Sequence, residues 1–480
     1  MGEEILGDPS GSAPGHETPP QPVCRRELHT LPRRPTRSSA GRLAVSLRVL
    51  LVIDFYPPFI GGSELQTQLL AEELARRGHA VTVATVWHSG LCETETTHGV
   101  TICRLRGFSM RLPWAFSGQR HHHPPAPDPL ITLGLVRLIR QFRPDVVHAT
   151  GWIAYSTRLA TMLTRRPLVV SARDFGYTCP IRTLIRRGET CTGPRFEKCL
   201  RHSAEQYGAP KALFAVSGVL GLRHWLIAGT AGVHVASRFV AQIARRDLLS
   251  DDKTVALIPN MIRPTSTPNI GPVKLGQESV EQVLERLPTE PFILFVGALQ
   301  AHKGIEPLLS AYGRLNAPPP LVVVGTSWPD SPKEWPDGVT VLTDIPNPIV
   351  QSIWERSLFG VAPALWPEPF GNTVTEAMQH GRPIVASSVG GPLDTVEHGR
   401  TGFLVPPGDV DALSGAMQAL VDDPALRERM GTLAREEMQR RFSADIVIPQ
   451  FEAFYARIAS EWRNRGGGRV GSWRGDVERR

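Results

Sequence analysis

From Arg48 onward the chain alternates continuous apolar runs with amphipathic ones. "RVLLVIDF" reads as a strand buried on both faces, since no polar residue interrupts it before Asp54. The helix within "GGSELQTQLLAEELARRGH" sets Leu65, Leu69 and Leu74 on one stripe and stops at Gly78. "AVTVATV" is a second strand. This order predicts a parallel sheet covered on both faces. Further strands are expected at 145–150, 167–172, 232–237 and 254–260.

Residues 263–290 lose this periodicity and gain proline, threonine and glycine, as a linker does. Then the pattern restarts. "PFILFVGAL", "PPLVVVG", "VTVLT", "FGVAPAL", "PIVAS" and "GFLV" read as strands, and "KGIEPLLSAYGRL" as a helix. A helix over 409–421 places Leu413, Met417, Leu420 and Val421 on one face. A last helix over 446–462 aligns Val447, Phe451, Phe454, Tyr455, Ile458 and Trp462. That stripe needs an apolar partner, which a return to the first unit supplies. The expected fold class is α/β, with two doubly wound, Rossmann-like domains facing each other across a cleft. Its parts are an extension (1–46), a first domain (47–262), a linker (263–290), a second domain (291–445), a crossover helix (446–462) and a basic tail (463–480). In such sheets ligands bind outside the carboxyl ends of the strands.

At 480 residues the chain is too long for one ordinary domain. Its 41% apolar and 21% charged content is that of a folded globular protein. The longest apolar region, 212–236, is broken by Arg223 and His224 and reads as buried or amphipathic structure rather than a membrane span. The first 46 residues lack the hydrophobic centre of a secretory signal and read as an unstructured extension, or as residues upstream of the true start. The tail carries six arginines and two acids, +4 of the net +7, so the body is nearly neutral. Such a tail fits an anionic membrane surface or plain solvation. Basic residues are not interleaved with aromatics along the body, which speaks against nucleic acid. Six cysteines do not make a disulfide scaffold.

Three loops carry candidate chemistry. Gly61-Gly62 leaves a strand and opens a helix, and Ser63 and Gln66 have capping-box spacing. The pair suits close approach to a phosphate or a reactive sugar centre, or simply a tight turn. It is not the G-x-G-x-x-G dinucleotide fingerprint. In "VGALQAHKG" a strand ends at Gly297, and Lys303 can hold a diphosphate as a point charge or stay solvated. In "WPEPFGNTVTEAMQHGRPIVASSVGG" (366–391), Glu368 and Glu376 flank a turn that opens a helix. Thr373-x-x-Glu376 has capping-box spacing, and Asn372 and Thr373 can leave N–H groups facing an anion. Two carboxylates approaching from one side suit gripping hydroxyls better than flanking a bond as a glycosidase pair does. Glu368 has no capping role.

This stretch resembles the E-x7-E motif of family 4 glycosyltransferases, retaining enzymes of the GT-B fold. The same family features stand at "GG" (61–62), "PDVVH" (144–148), "IPN" (258–260), "VGAL…KG" (297–304) and "G.TGFLVPPGD" (399–409), so the resemblance spans roughly 48–460. It implies that Glu368 binds donor-sugar hydroxyls, helped by the backbone at Phe370 and Gly371, and that Glu376 grips the ribose. Asn372, Thr373 and Val374 then offer N–H groups to the diphosphate, Lys303 neutralises the leaving phosphate, and Gly62 and Gly297 approach the donor. Glu368 and Lys303 are thereby the catalytic candidates, and His148, Arg173 and Asp174 the acceptor-side ones. No cofactor is required for catalysis. The implied partners are a nucleotide-diphosphate sugar and a glycan or lipid-linked acceptor, with a cytoplasmic location, peripheral at the membrane. A soluble disaccharide or sugar-phosphate synthase, or an inactive GT-B scaffold, is the alternative. Three departures stand out: Ala298 where the family has Arg, Arg173-Asp174 where it has His-Asp, and Asp394 where Glu is commoner.

Asp409-Val-Asp411 has D-x-D spacing but opens a helix, so capping is expected. Cys179, Cys191, Cys199 and His202 fall within 24 residues and have the ligand types of a structural zinc site; free thiols or a disulfide are the other readings. His121-His122-His123 reads as a loop without a metal role.

Overall fold

The apolar run after Arg48 becomes β1 (Arg48–Ile53), paired in parallel with β2 (Ala80–Val86) and, on its other edge, β5 (Val146–Thr150). Between β1 and β2 lies α1 (Gly62–Arg76). β3 (Thr94–Thr97) and β4 (Val100–Leu105) extend one edge, β3 antiparallel. These two short strands are not among the expected ones. β6 (Leu168–Ala172), β9 (Gly232–Val235) and β10 (Val255–Leu257) extend the other edge, while β7 (Ile185–Arg186) and β8 (Glu189–Thr190) form a separate hairpin. The sheet order is β10-β9-β6-β5-β1-β2-β4-β3. One face carries α2 (Pro129–Phe142), α3 (Ala154–Thr164), α5 (Ala209–Ala228) and α6 (Arg238–Asp247), with α4 (Phe196–Tyr207) packed on α5. Asp128 caps α2 by accepting from the N–H groups of Leu130 and Ile131.

This computed structural model describes residues 46–59, 61–111, 123–186, 188–262, 280–328 and 330–466. The expected extension up to residue 45, most of the tail, most of the linker, and His121 and His122 lie outside them.

The second domain begins earlier than the sequence pattern predicts. α7 (Val280–Glu285) falls within the expected linker, and Val283 and Leu287, four residues apart, are buried in this domain's core. Six parallel strands follow the order β13-β12-β11-β14-β15-β16. They are β11 (Phe292–Val296), β12 (Leu321–Gly325), β13 (Val339–Thr343), β14 (Ser357–Ala362), β15 (Ile384–Ser387) and β16 (Gly402–Val405). Helices α8 (Ile305–Tyr312), α9 (Asn347–Arg356), α10 (Asn372–Gln379), α11 (Pro392–Thr395), α12 (Val410–Asp422) and α13 (Pro424–Phe442) complete it. Alternate residues of β11 face opposite cores: Phe292 and Leu294 one, Ile293 and Phe295 the other.

The last helix, α14 (Ala444–Asn464), returns to the first domain. Val447, Phe451, Phe454, Tyr455 and Ile458 are buried with Val49, Leu51 and Ile53 of β1. Gly232 admits this helix: a Cβ there would lie 2.9 Å from the Phe454 ring. Where the chain crosses between domains, the N–H of Ile262 donates to the carbonyl of Phe442 at 2.9 Å.

Candidate active site

The loop after β14 carries the two glutamates, and glycines let it lie flat on the next turn. The N–H of Gly391 donates to the Glu368 carbonyl at 2.7 Å. A Cβ on Gly390 would sit 2.4 Å from that carbonyl oxygen, and one on Gly391 2.3 Å from the Phe370 Cα. Gly371, at φ 84°, then turns the chain into α10 without a side-chain cap. This overturns the expected Thr373–Glu376 capping box. The helix starts one residue before Thr373, whose hydroxyl donates to the Val296 carbonyl at 3.3 Å instead. The N–H of Val374 is taken by the Gly371 carbonyl at 3.0 Å, so Val374 offers no free donor. The N–H groups of Asn372 and Thr373 remain without an intrahelical partner. Phe370 is buried against Phe442, so only its backbone faces the turn.

Lys303 reaches this loop from the end of the neighbouring strand. It ends a short turn (Ala301–Lys303) after β11, and Gly304 at φ 80° redirects the chain. A Cβ on Gly304 would lie 1.9 Å from the Pro363 carbonyl oxygen, so the loop permits nothing larger. The ammonium donates to Glu368 Oε1 at 2.5 Å and sits 4.9 Å from the centre of the Trp366 ring. Trp366 Nε1 donates to the same carboxylate oxygen at 3.3 Å. Burial pushes the Glu368 carboxyl up, but the charge and hydrogen bond of Lys303, with the Trp366 bond, outweigh it and hold it below the usual range. Burial, reinforced by Lys303, pushes His302 down to about 4, so its ring is neutral at pH 7. His302 and Trp366, in edge contact at 5.4 Å, are not among the residues the sequence singled out.

Glu376 is half-buried and lines a cleft shared by both domains with Leu65, Gln66, Met261 and Gln351. The expected Ser63–Gln66 capping box is absent. Gln66 instead grips the Met261 backbone, donating to its carbonyl at 2.8 Å and accepting from its N–H at 2.9 Å. A Cβ on Gly62 would lie 2.7 Å from Asn372 Nδ2, so the start of α1 faces the start of α10 directly. Gly297 closes β11, its N–H donating to the Val324 carbonyl at 2.9 Å.

The acceptor-side candidates separate. His148 is buried beneath the sheet, Nδ1 bonded to the Tyr455 hydroxyl and Nε2 to the Ser171 hydroxyl, both at 2.6 Å. It therefore holds α14 and stands outside the cleft, because its position on β5 points it at the face that α14 covers. Burial pushes it well below its ordinary pKa. Arg173 does face the cleft, donating from Nη1 to Asn260 Oδ1 at 2.7 Å. Asp174 accepts from the N–H of Gly176 at 2.8 Å and lies 3.7 Å from Arg182, which is itself 3.8 Å from Asp54. Asp54, at the end of β1, ties the start of α3 by accepting from the N–H groups of Trp152 and Ile153. Asp394, a departure that looks minor in sequence, reaches across the cleft: its Oδ2 accepts from the N–H of Arg238 at 2.6 Å.

The metal expectation finds no support in the geometry. Cys179, Cys191 and Cys199 are free thiols, and among the described residues no three His, Cys, Asp or Glu side chains converge as a metal site. Cys179 comes from a loop, Cys191 follows the hairpin, and Cys199 and His202 lie on α4; Cys191 and Cys199 lie near enough to Cys179 to act on it electrostatically. Asp409 caps α12, accepting from the N–H of Ala412, while Asp411 is exposed and pairs with Arg314. His123 is buried against the Ser156 hydroxyl.

The family model for "Glycosyl transferases group 1" matches residues 277–437, and that for "Glycosyl transferase 4-like domain" matches 61–261. The chain belongs to the group 1 glycosyltransferases. An uncharacterised glycosyltransferase of Methanocaldococcus jannaschii is 25% identical over 441 residues, covering 87% of this chain and 100% of the relative. Among solved structures, sucrose-phosphate synthase of Thermosynechococcus elongatus superposes with TM-score 0.63 at 20% identity, over 86% of this chain and 100% of that one. Anabaena HepE, solved with UDP and glucose, gives 0.59 at 17% identity, over the same shares. The fold of this glycosyltransferase is thus GT-B.

Proposed function

We propose that this glycosyltransferase takes a hexose-type sugar from a nucleoside diphosphate and moves it to a hydroxyl acceptor with retention of anomeric configuration. The observation that carries the reading is the Lys303–Glu368 contact at 2.5 Å, set beside a helix start with open N–H groups. An ionised carboxylate accepts hydrogen bonds from sugar hydroxyls. An ammonium and two N–H groups receive the charge that builds on the diphosphate as the bond to the anomeric carbon breaks. That electron pair leaves with the phosphate, whose oxygen then takes the acceptor proton. Glu376, one turn further along α10, faces the interdomain cleft where a ribose would lie. A scaffold without turnover has no use for an ionised carboxylate and an ammonium held at an open helix start.

The outer helices of the first domain favour a lipid-linked acceptor over a soluble one. α2, α3 and α5 contain no Asp or Glu and expose Leu133, Met162, Leu163, Leu213 and Phe214. Arg137 and Arg140 on α2 and Arg143 and Arg165 at the helix ends are exposed among them. α5 is the one helix among the described residues long and apolar enough to cross a membrane. Its two faces differ: Val216 and Val219 are in the core, whereas Leu213 and Phe214 are half exposed.

The test is thermal denaturation of the full chain with UDP, ADP and GDP and their sugars. A ligand that binds only the native state raises the midpoint by mass action. A shift with one nucleotide that Glu376→Ala abolishes supports the donor reading; no shift with any of them sinks it.

A further inference from the structure

Arg173 is the charge in the cleft for which the donor site as described has no use. Its side chain is buried, one nitrogen donates to Asn260, and Nε has no partner. No carboxylate among the described residues lies within ion-pair distance of it. Glu64, folded back over Gly61, acts on it only from further away. Burial lowers its pKa to about 10, so it stays protonated at neutral pH. A full charge buried without a counter-ion is costly, and such a group fits a site whose counter-ion arrives with the ligand.

Its surroundings name that ligand. Asn260 passes the contact to Asn372, the first residue of α10, through a 2.8 Å bond. Gly62, the first residue of α1, packs on the same Asn372 side chain. Neither helix start has a side-chain cap. Two residues further along the Arg173 loop, Phe175 meets Trp366 at 6.3 Å, and Trp366 in turn bonds Glu368. The loop 173–175 therefore spans the donor stretch from Glu368 to Asn372. On the opposite wall Lys303 is shared with Glu368, and the residue after Gly297 is the uncharged Ala298. A diphosphate entering between these walls would meet one ammonium that is already half neutralised.

We propose that Arg173 is the second cation of the diphosphate site, its unpaired Nε edge taking a phosphate oxygen and supplying positive charge that the Lys303 wall, with Ala298 uncharged, does not. This rests on the donor reading above and adds a residue to it. It also makes the first domain a direct holder of the donor, so that diphosphate binding clamps the two domains together. Nucleoside monophosphates, with less charge at that point, gain less from it.

The experiment measures binding of UDP, ADP and GDP, and of the matching monophosphates, to the full chain by calorimetry. The variants are Arg173→Met, Arg173→Lys and the double substitution Arg173→Met with Ala298→Arg. Arg173→Met is expected to weaken the preferred diphosphate by about tenfold or more while shifting the monophosphate much less. Its melting temperature without ligand is expected not to fall, because a buried charge lacking a counter-ion has been removed. Arg173→Lys and the added Ala298→Arg each restore part of the lost affinity. The proposal is overturned by unchanged diphosphate affinity in Arg173→Met, or by equal losses for mono- and diphosphate. A loss that comes with a lower melting temperature and that neither restoring variant repairs also overturns it. If the unaltered protein binds no nucleotide at all, the donor reading fails, and this proposal with it. If nucleotide binds and Glu376→Ala abolishes it while Arg173→Met does not weaken it, this proposal alone fails.

Discussion

The side-chain amide of Asn260, in the first domain, donates to the side-chain oxygen of Asn372, in the second, at 2.8 Å. Arg173 holds Asn260 from behind at 2.7 Å. Asn260→Asp places a carboxylate against that buried guanidinium. The folded protein without ligand should gain about 1 kcal/mol or more, because the arginine acquires a counter-ion. Nucleoside diphosphate affinity should fall, because the new charge competes with the phosphate. Denaturant melts and calorimetry on one preparation check both signs.

Lys303→Ala removes both the charge facing the leaving group and the partner of Glu368. A loss of about 10²- to 10³-fold in kcat is expected, the size seen when one preorganised donor to a developing anion is deleted. The Glu368 carboxyl should then rise above its ordinary range, since burial remains and the compensating cation is gone. Initial rates and carboxyl titration by NMR decide this. Activity within threefold of the unaltered enzyme would remove Lys303 from the mechanism.

Two glycines with opposite surroundings give a paired stability test. Gly304→Ala meets the Pro363 carbonyl at 1.9 Å on a backbone at φ 80°, and should cost roughly 2 kcal/mol or more along with most of the activity. Gly415→Ala, on α12 with open space around its Cβ, should stabilise by up to about 1 kcal/mol and leave activity intact. Thermal melts of the two variants must move in opposite directions.

Acid should unfold the first domain through its buried imidazoles. Burial, aided by the charge of Arg173, brings His234 down to about 3, and His148 is also pushed well below its ordinary value. Both are neutral in the fold, and on unfolding they would take up protons below about pH 6.5. Their contribution is therefore complete above that pH and is lost as pH falls toward the folded values. From pH 6.5 to 5, His234 alone should account for roughly 2 kcal/mol. Urea midpoints across this range, compared with those of His234→Gln, test it: the variant should show a shallower fall.

Leu213→Asp with Phe214→Asp should reduce sedimentation with vesicles containing anionic lipid, without lowering the melting temperature, since both side chains are half exposed. Equal sedimentation of the variant, or none by the unaltered protein, would count against a lipid-linked acceptor.

The donor stretch was legible in sequence because its demands are local. Gly371, Gly390 and Gly391 are forced by a turn and by backbone contacts within 25 residues, and Glu368 stands out for lacking any capping role. The buried strands were legible for a similar reason: apolar runs of five or six residues between glycine- and proline-rich turns admit little else. The return of α14 followed from one apolar stripe that its own domain leaves uncovered.

What the tertiary structure decided is everything that depends on which residues meet across long separations. His148 on β5 and Arg173 just after β6 read alike as cleft candidates, yet one faces α14 and the other faces Asn260, because a strand's alternation assigns its faces only once the covering helix is known. Gln66 and Thr373 had capping spacing, but α1 starts at Gly62 and α10 just after Gly371, each earlier than that spacing requires, which freed their side chains for the Met261 and Val296 backbones. Lys303 meets Glu368 across 65 residues, and Asn260 meets Asn372 across 112. Sequence alone determined which residue types stood in the loops. The packing of two sheets, set by buried apolar area rather than by any one motif, decided which of those loops share a cleft.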